Sequence, residues 1–172
     1  MTILKLAVGA VFMGTAVCWT PARARDAFHW CGKLAQGINI SCALEAPREG
    51  QWGVVIRHEF FDVITEAGFD SVRLPVRWNT HAAKKPPYTV DPTFLRRVDQ
   101  VLRWGLDRGL VMVLDWHHYV EFIGEDPEGH SARFFAVWEQ LAAHYKEWPP
   151  TLYFEILNEP AKKLTADLWN EY

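Results

Sequence analysis

Polar side chains stand where four short apolar runs of the sequence end. They are Asn39 after the first run, Arg73 within the second, His117 and His118 after the third, and Asn158 and Glu159 after the fourth. A carboxyl such as that of Glu159 acts as a general acid when its surroundings raise its pKa enough to keep it protonated near neutral pH. The neighbouring amide of Asn158 can donate a hydrogen bond to a substrate hydroxyl. These residue types favour acid catalysis by Glu159, although Asn-Glu-Pro taken alone is equally a turn between a strand and a helix.

Other kinds of catalysis lack their motifs in this sequence. There is no G-x-S-x-G turn for a serine nucleophile, and the cysteines stand in no nucleophile motif. His117 and His118 are potential metal ligands, but no H-E-x-x-H is present, and Glu121 and Glu125 fall in a predicted polar loop. No glycine-rich phosphate-binding motif follows an apolar run. We therefore expect neither a metal nor a cofactor.

The elements that must position these residues alternate between strands and helices. The predicted strands are Gln36–Ile40, Asp70–Val76, Leu110–Asp115 and Thr151–Leu157, and the predicted helices are Val55–Ala67, Pro92–Arg108, Ala132–Tyr145 and Thr165–Tyr172. Strand–helix units that recur every ~35–41 residues predict parallel strands with helical crossovers. An open doubly wound sheet and a barrel both satisfy this pattern. In a parallel α/β barrel, residues at the carboxyl ends of several strands form one active site, which fits the polar residues found here.

The composition excludes several classes of protein. The chain has 172 residues, 49% of them hydrophobic, and a net charge of −3 from 18 basic and 21 acidic residues. This is the mixture of a folded domain, and the slightly acidic balance argues against a nucleic-acid partner. No apolar run of ~18 residues lies in the body of the chain, so no membrane span is predicted there. The abundant aromatic residues either fill the core or line an open groove, and composition does not choose between these.

The N-terminal residues have the layout of a secretory signal peptide. Lys5 precedes an apolar stretch at residues 6–17, and Ala22-Arg23-Ala24 supplies small residues for cleavage. We expect residues 1–24 to be removed and residues 25–172 to form a secreted domain with no membrane attachment. Cys31 and Cys42 would then remain, and two cysteines do not make a disulfide framework.

Four segments together resemble a known family. GINISCALEAPREGQWG (37–53), FDSVRLPVRWNTH (69–81), VLDWHHY (113–119) and LYFEILNEP (152–160) are similar to glycoside hydrolase family 5, and most similar to its bacterial endo-β-1,4-glucanases. The likeness runs from Leu34 to Tyr172. It implies a (β/α)₈ barrel, of which this chain would contain about the first four βα units. It also implies hydrolysis of β-1,4-linked polysaccharides with retention of configuration, by an enzyme that is monomeric at full length.

The resemblance assigns roles to individual residues. It implies that Glu159 is the catalytic acid/base and that Asn158 binds the 2-hydroxyl of the sugar at the cleaved bond. Arg73 is implied to lie near the nucleophile, and Glu45 to meet sugars on the non-reducing side. His117 and His118 are implied to contact sugar hydroxyls or to support the site. Glu155 is expected to be a buried structural carboxylate on the same side of its strand as Leu157 and Glu159.

The sequence also departs from the family. Close relatives have Gly-Asn where this chain has Ser41-Cys42, which puts one sugar contact in doubt. The family's nucleophile is a Glu on the seventh strand, and no residue here is assigned that role. We therefore expect the fragment alone to be inactive, and its open sheet edges to promote association or poor solubility. A β-mannanase, another glycanase of the family and a non-catalytic carbohydrate-binding half barrel remain as alternatives.

Overall fold

A computed structural model describes residues 27–172 of the chain. The predicted signal peptide, residues 1–24, lies outside the described residues. Five α-helices and four β-strands alternate along the described part. They are α1 (Ala27–Leu34), β1 (Gly37–Asn39), α2 (Glu59–Glu66), β2 (Ser71–Val76), α3 (Pro92–Leu106), β3 (Val111–Trp116), α4 (Pro127–Tyr145), β4 (Leu152–Glu155) and α5 (Ala166–Glu171). A 3₁₀ turn at Trp78–Thr80 follows β2, and a π-helical turn at Glu121–Glu125 precedes α4.

The four strands form one parallel sheet in the order β1-β2-β3-β4. The parallel pairing predicted from the sequence is therefore confirmed. A doubly wound sheet would reverse its strand order at a switch point, whereas this order never reverses. Sequential order is the arrangement of consecutive βα units in a barrel.

The register of the sheet separates its two faces. Arg73 lies opposite Asn39 and Val113, and Asp115 lies opposite Pro75 and Glu155. Because side chains alternate along a strand, these residues share one face, which we call the polar face. The other face presents the fully buried side chains Val72, Leu74, Val76, Met112, Leu114 and Trp116 to the helices.

Close packing of α3 against β3 depends on a glycine. A Cβ atom at Gly105 would collide with Sδ of Met112. Val98, Val101 and Leu102 on the same helix are fully buried. The backbone of α3 therefore packs directly against β3, and the apolar layer between them is close-packed.

Two helix starts differ from the sequence prediction. The helix predicted from Ala132 begins at Pro127, because Asp126 caps it by accepting a hydrogen bond from the Gly129 N–H. The helix predicted from Val55 begins only at Glu59. The start of α3 at Pro92, capped by Asp91, is confirmed.

The fourth strand also differs from its prediction. It ends at Glu155, not at Leu157, and Leu157 packs into the apolar core. Glu155 keeps 35% of its side chain exposed and pairs with Arg73. The expected alternation from Glu155 to Leu157 is therefore wrong, and Glu155 is not buried among the described residues. The short helix α1 was not predicted.

Within residues 27–172, no helix is both long enough and apolar enough to cross a membrane.

Candidate active site

Arg73, in the middle of β2, is the centre of the polar face. Its Nε and Nη2 atoms donate to the two carboxylate oxygens of Glu155 at 2.6 and 2.7 Å. Nη2 also lies 2.9 Å from Oδ2 of Asp115 and donates to Oδ1 of Asn158 at 2.9 Å. The hydrogen bonds that Arg73 donates to Glu155 and the charge of Asp115 raise the pKa of Arg73 despite its partial burial, so the guanidinium stays charged. This side chain of β2 thus holds groups from the ends of two other strands, β3 and β4.

Asp115 fixes the orientation of His117. The Asp115 side chain is fully buried, and its Oδ2 lies 2.5 Å from Nδ1 of His117. Burial raises the pKa of Asp115, while His117 and Arg73 oppose that rise. Because the carboxylate accepts a hydrogen bond from Nδ1, the other ring nitrogen of His117 is left to meet a ligand.

Backbone hydrogen bonds continue past the strand ends and set the positions of the site residues. The N–H of His117 donates to the carbonyl of Val76 at 2.8 Å, and the N–H of Asn158 donates to the carbonyl of Trp116 at 3.0 Å. Each residue that follows a strand is therefore tied to the neighbouring strand. This is why side chains far apart in sequence converge at one edge of the sheet.

The side chain of Asn158 has a fixed direction. Its Oδ1 accepts from Arg73, so its amide NH₂ group points away from the guanidinium. That NH₂ group makes no hydrogen bond within the described residues, and a ligand hydroxyl is a suitable acceptor for it.

Glu159 stands at the mouth of a pocket with its carboxyl unpaired among the described residues. The pocket has a volume of about 170 Å³, and Glu159 lines it together with His118, Asn158 and Lys162. The backbone of Glu159 has a φ of +49°, in the left-handed region that favours glycine. A carboxyl that is exposed, free and next to a directed amide donor is suited to proton transfer to a ligand in this pocket.

His118 is a second ionisable residue that lines the pocket. Its ring packs edge-on against that of His117 with centroids 4.3 Å apart, and its backbone φ is +60°. Burial lowers the pKa of His118, and the electrostatic effects of nearby His117 and Arg77 lower it further. The imidazole is therefore neutral at neutral pH and can both donate and accept a hydrogen bond.

Glu45 is placed differently from the other predicted site residues. Only 3% of it is exposed. Its two oxygens accept hydrogen bonds from the backbone N–H groups of Cys42 and Ala43, the second at 3.0 Å. In this geometry the carboxylate closes the turn after β1, and its sugar contact remains a prediction. The structure brings the other five, Arg73, His117, His118, Asn158 and Glu159, together at the strand ends.

Two contributors to this site were not assigned to it from the sequence. Asp115 was treated as the end of an apolar strand, and Glu155 as a structural group. A charged residue inside a buried strand needs a partner, because an unpaired buried charge is strongly unfavourable. That rule applied to Asp115 would have identified it as a partner of Arg73 or His117.

Among residues 27–172, the cysteines form no disulfide and no metal-binding group is found. Cys31 and Cys42 are both exposed and free of a disulfide. Within residues 27–172, no three His, Cys, Asp or Glu side chains are grouped so that they could hold a metal ion.

The sequential parallel sheet, with charged and amide groups at its carboxyl ends, defines the first four units of a (β/α)₈ barrel whose polar residues gather on the barrel's usual catalytic face. The model of the cellulase family, glycosyl hydrolase family 5, matches residues 33–172, and the chain belongs to that family. The predicted family and fold class are thus confirmed.

Named relatives agree with this assignment. The chain is 42% identical over 145 residues to endoglucanase H of Acetivibrio thermocellus, covering 84% of this chain and 16% of that protein. It is 30% identical to endoglucanase A of Ruminococcus albus, covering 84% of this chain and 43% of that one. The solved structure of endoglucanase Cel5A from Thermotoga maritima matches with a TM-score of 0.83 at 54% identity, covering 86% of this chain and 47% of that chain. The chain therefore spans half or less of each of these proteins.

Proposed function

We propose that this chain carries the acid/base residue of a retaining β-1,4-glucan hydrolase, with Glu159 in that role. The observation that carries the proposal is the free carboxyl of Glu159 beside the directed amide of Asn158 in one pocket. Relatives named endoglucanase support the substrate class.

The proposed reaction assigns a task to each group in the pocket. Glu159 gives its proton to the oxygen of the leaving sugar, and it later takes a proton from the water that releases the product. Asn158 donates to the 2-hydroxyl of the sugar at the cleaved bond, and Arg73 keeps that amide in position. His117 and His118 bind hydroxyls of the same chain of sugars.

Retention of configuration also requires a nucleophilic carboxylate about 5–5.5 Å from the acid/base residue. We propose that the remaining βα units of the family fold supply it, since this chain covers 47% of the Thermotoga maritima structure. Without that carboxylate, we expect the 172-residue chain to bind oligosaccharide but not to cleave it.

The test joins the chain to the second half of Thermotoga maritima Cel5A and measures hydrolysis of a soluble β-1,4-glucan. We expect activity that Glu159→Gln lowers by about 10²–10⁴-fold, the usual contribution of a general acid. Glu128→Gln, a matched change at an exposed position of α4, should leave the rate unchanged. A joined protein that is fully active with Glu159→Gln would refute the assignment.

A β-mannan is the second candidate substrate. Thermotoga maritima Cel5A has been solved with cellobiose and with mannotriose, so a site of this type accommodates both kinds of sugar in that protein. Rates of the joined protein on β-glucan and β-mannan would rank the two substrates. Affinity for both without turnover of either would instead favour the non-catalytic carbohydrate-binding half barrel.

We also propose that the protein is secreted after removal of residues 1–24, on the basis of the sequence pattern alone. N-terminal sequencing of the exported protein should begin at Arg25. A mature protein that still begins at Met1 would refute this.

A further inference from the structure

A second pocket lies between the loop that follows β2 and the first turns of α4. Its volume is about 270 Å³, and the residues that line it are Lys84, Tyr88, Glu121, Gly129, His130 and Arg133. It shares no lining residue with the pocket of Glu159, although Val120 of that pocket directly precedes Glu121. The volume is below the roughly 300–1,000 Å³ of pockets that enclose drug-sized ligands, so the second pocket suits a single small ring.

The loop that forms one wall of the second pocket is held against α4. Arg133 of this helix is buried, and its guanidinium donates to the carbonyls of Asn79 at 2.7 Å and Ala82 at 2.6 Å. Gln140, two turns further along α4, donates to the carbonyl of Tyr88 at 3.2 Å. The loop is therefore fastened to the helix at two points. A preorganised wall loses little conformational entropy when a ligand binds.

Two polar side chains of the second pocket are oriented by buried neighbours. The amide of Asn79 donates to Oε2 of Glu121 at 3.1 Å, and Oε1 of Glu121 makes no hydrogen bond within residues 27–172. The hydroxyl of Tyr119 lies 3.1 Å from Nδ1 of His130. Burial raises the pKa of Tyr119 to about 12, so this hydroxyl keeps its proton and can donate it to Nδ1. Nε2 of His130 is then a donor available to a ligand.

The remaining side chains add a cation and an aromatic ring. The ammonium of Lys84 is exposed and forms no ion pair within the described part of the chain, and the ring of Tyr88 is half-buried. The carboxylate of Glu121 offsets the charge of Lys84, and it would repel an anion in the pocket. A sugar hydroxyl both donates and accepts hydrogen bonds. Neighbouring hydroxyls and the C–H face of a pyranose therefore match these donors, this acceptor and this ring.

We propose that the second pocket is a non-catalytic binding site for a neutral pyranose, such as a glucose unit of a β-linked polysaccharide. Glu121 accepts a hydrogen bond from one hydroxyl, and Lys84 and His130 donate to others. Tyr88 packs against the C–H face of the ring. The site goes beyond the proposed function, because none of its residues has a part in the reaction assigned to Glu159.

The test is an NMR titration of the isotopically labelled 172-residue chain with cellobiose. We expect the backbone amide signals of Gly129 and His130 to shift along a saturable curve. The amide signals of Asn158 and Glu159 report on the catalytic pocket separately, so the inference does not depend on whether they shift. An absence of saturable shifts at Gly129 and His130 would refute the second site.

A pair of adjacent lysines tests whether the ligand lies in the second pocket. We expect Lys84→Met to weaken the affinity reported by the Gly129 and His130 signals by about five- to tenfold, the scale of one lost hydrogen bond to a charged group. Lys85→Met is the matched control, because Lys85 is also exposed but does not line the pocket. Its affinity should equal that of the native chain. Equal affinities in the two variants would overturn the proposal.

The aromatic contact has its own pair of variants. Tyr88→Ala should weaken the same affinity by about five- to tenfold, whereas Tyr88→Phe keeps the ring and should retain most of it. Tyr88 also packs partly against the apolar core. If Tyr88→Ala does not fold, Lys84→Met at its exposed position decides the question.

A parallel titration with sodium phosphate tests the chemical class of the ligand. We expect no saturable shift of the Gly129 and His130 signals, because Glu121 repels an anion. A saturable response to phosphate and none to cellobiose would overturn the assignment to a neutral sugar.

Discussion

The two faces of the sheet are held by different forces, although both are closely packed. Leu114 and Asp115 are consecutive in β3, and both are fully buried. Leu114 packs in the apolar layer under the helices, whereas Asp115 contacts Arg73 and His117 on the polar face.

The apolar face supplies most of the stability of the sheet, and the polar face supplies the orientation of the site residues. Apolar packing is strong but non-directional. The helix-covered face therefore stabilises the sheet but does not fix the direction of any functional side chain. Ion pairs and hydrogen bonds are directional, so the polar face fixes the directions of Asn158 and His117. The predictions below test this division of roles, beginning with the largest expected effect.

Removing the guanidinium from the polar face should have the largest effect. Arg73→Met leaves Asp115 buried without its cation and Glu155 without its bidentate partner. We expect the free energy of unfolding to fall by about 3–5 kcal/mol, as measured by urea denaturation. Arg96→Met, at an exposed position of α3, should change it by less than about 0.5 kcal/mol. Equal losses in the two variants would show that the polar network contributes nothing to stability.

Opening a cavity on the helix-covered face should lower the free energy of unfolding by somewhat less. We expect Leu114→Ala to lower the free energy of unfolding by about 3 kcal/mol. Val63→Ala, at a position that is 64% exposed on α2, should cost less than about 0.5 kcal/mol. Because Leu114 faces away from the network, the affinity for cellotetraose should not change. A large loss of affinity in the folded Leu114→Ala variant would contradict the separation of the two faces.

A smaller effect, visible as a pH dependence, is expected at Asp115. Burial, with a contribution from the charge of Glu155, raises the pKa of Asp115 above its ordinary value of 3.8 against the opposing effects of His117 and Arg73. Just above pH 3.8 the folded chain therefore holds a proton that the unfolded chain has released. The free energy of unfolding then falls as the pH rises through this window.

Asp115→Asn removes this titration. We expect the stability of the variant, relative to the native chain, to rise with pH from about pH 4 upward, as measured by urea denaturation at a series of pH values. Leu114→Ala should show the same loss at every pH. A pH-independent difference between Asp115→Asn and the native chain would be evidence against the raised pKa.

The smallest effect is expected at the start of α3, in the layer that covers the apolar face. The Asp91 carboxylate accepts hydrogen bonds from the N–H groups of Thr93 at 2.7 Å and Phe94 at 3.4 Å. Asp91→Ala should lower the free energy of unfolding, measured by urea denaturation, by about 1 kcal/mol. Asp91→Asn keeps the accepting oxygen and should therefore be as stable as the native chain. A full loss with Asn would mean that the charge, not the cap, stabilises this helix.

Local sequence signals predicted most elements but misplaced two helix starts. The Asp-Pro pair predicted the beginning of α3, and the same pair at Asp126-Pro127 begins α4. That second start was missed because the residues after Pro127 are polar and the apolar periodicity begins only near Phe134. Ile56 has the spacing of a helical residue, but its N–H donates to Glu49 and its carbonyl accepts from Arg97, and it lies before the start of α2. A tertiary contact there overrides a local preference.

That Arg73, His117, His118, Asn158 and Glu159 lie together at the strand ends was predictable, but their contacts were not. The motifs named Arg73 and Asn158, yet the pairing of Arg73 with Glu155 joins residues 82 positions apart. Such a pairing depends on the strand register, which sequence spacing does not determine. The capping role of Glu45 similarly depends on the local path of the backbone after β1.

The backbone of Glu159 has an evolutionary consequence. A glutamate with a φ of +49° is in a conformation that costs about 1 kcal/mol relative to glycine. We therefore expect neutral substitutions at this position to favour glycine or asparagine. Either residue would stabilise the chain, but neither has the carboxyl. Under the proposed role of Glu159, selection for stability and selection for chemistry act in opposite directions here. In lineages that no longer need the reaction, we expect this residue to be among the first to change.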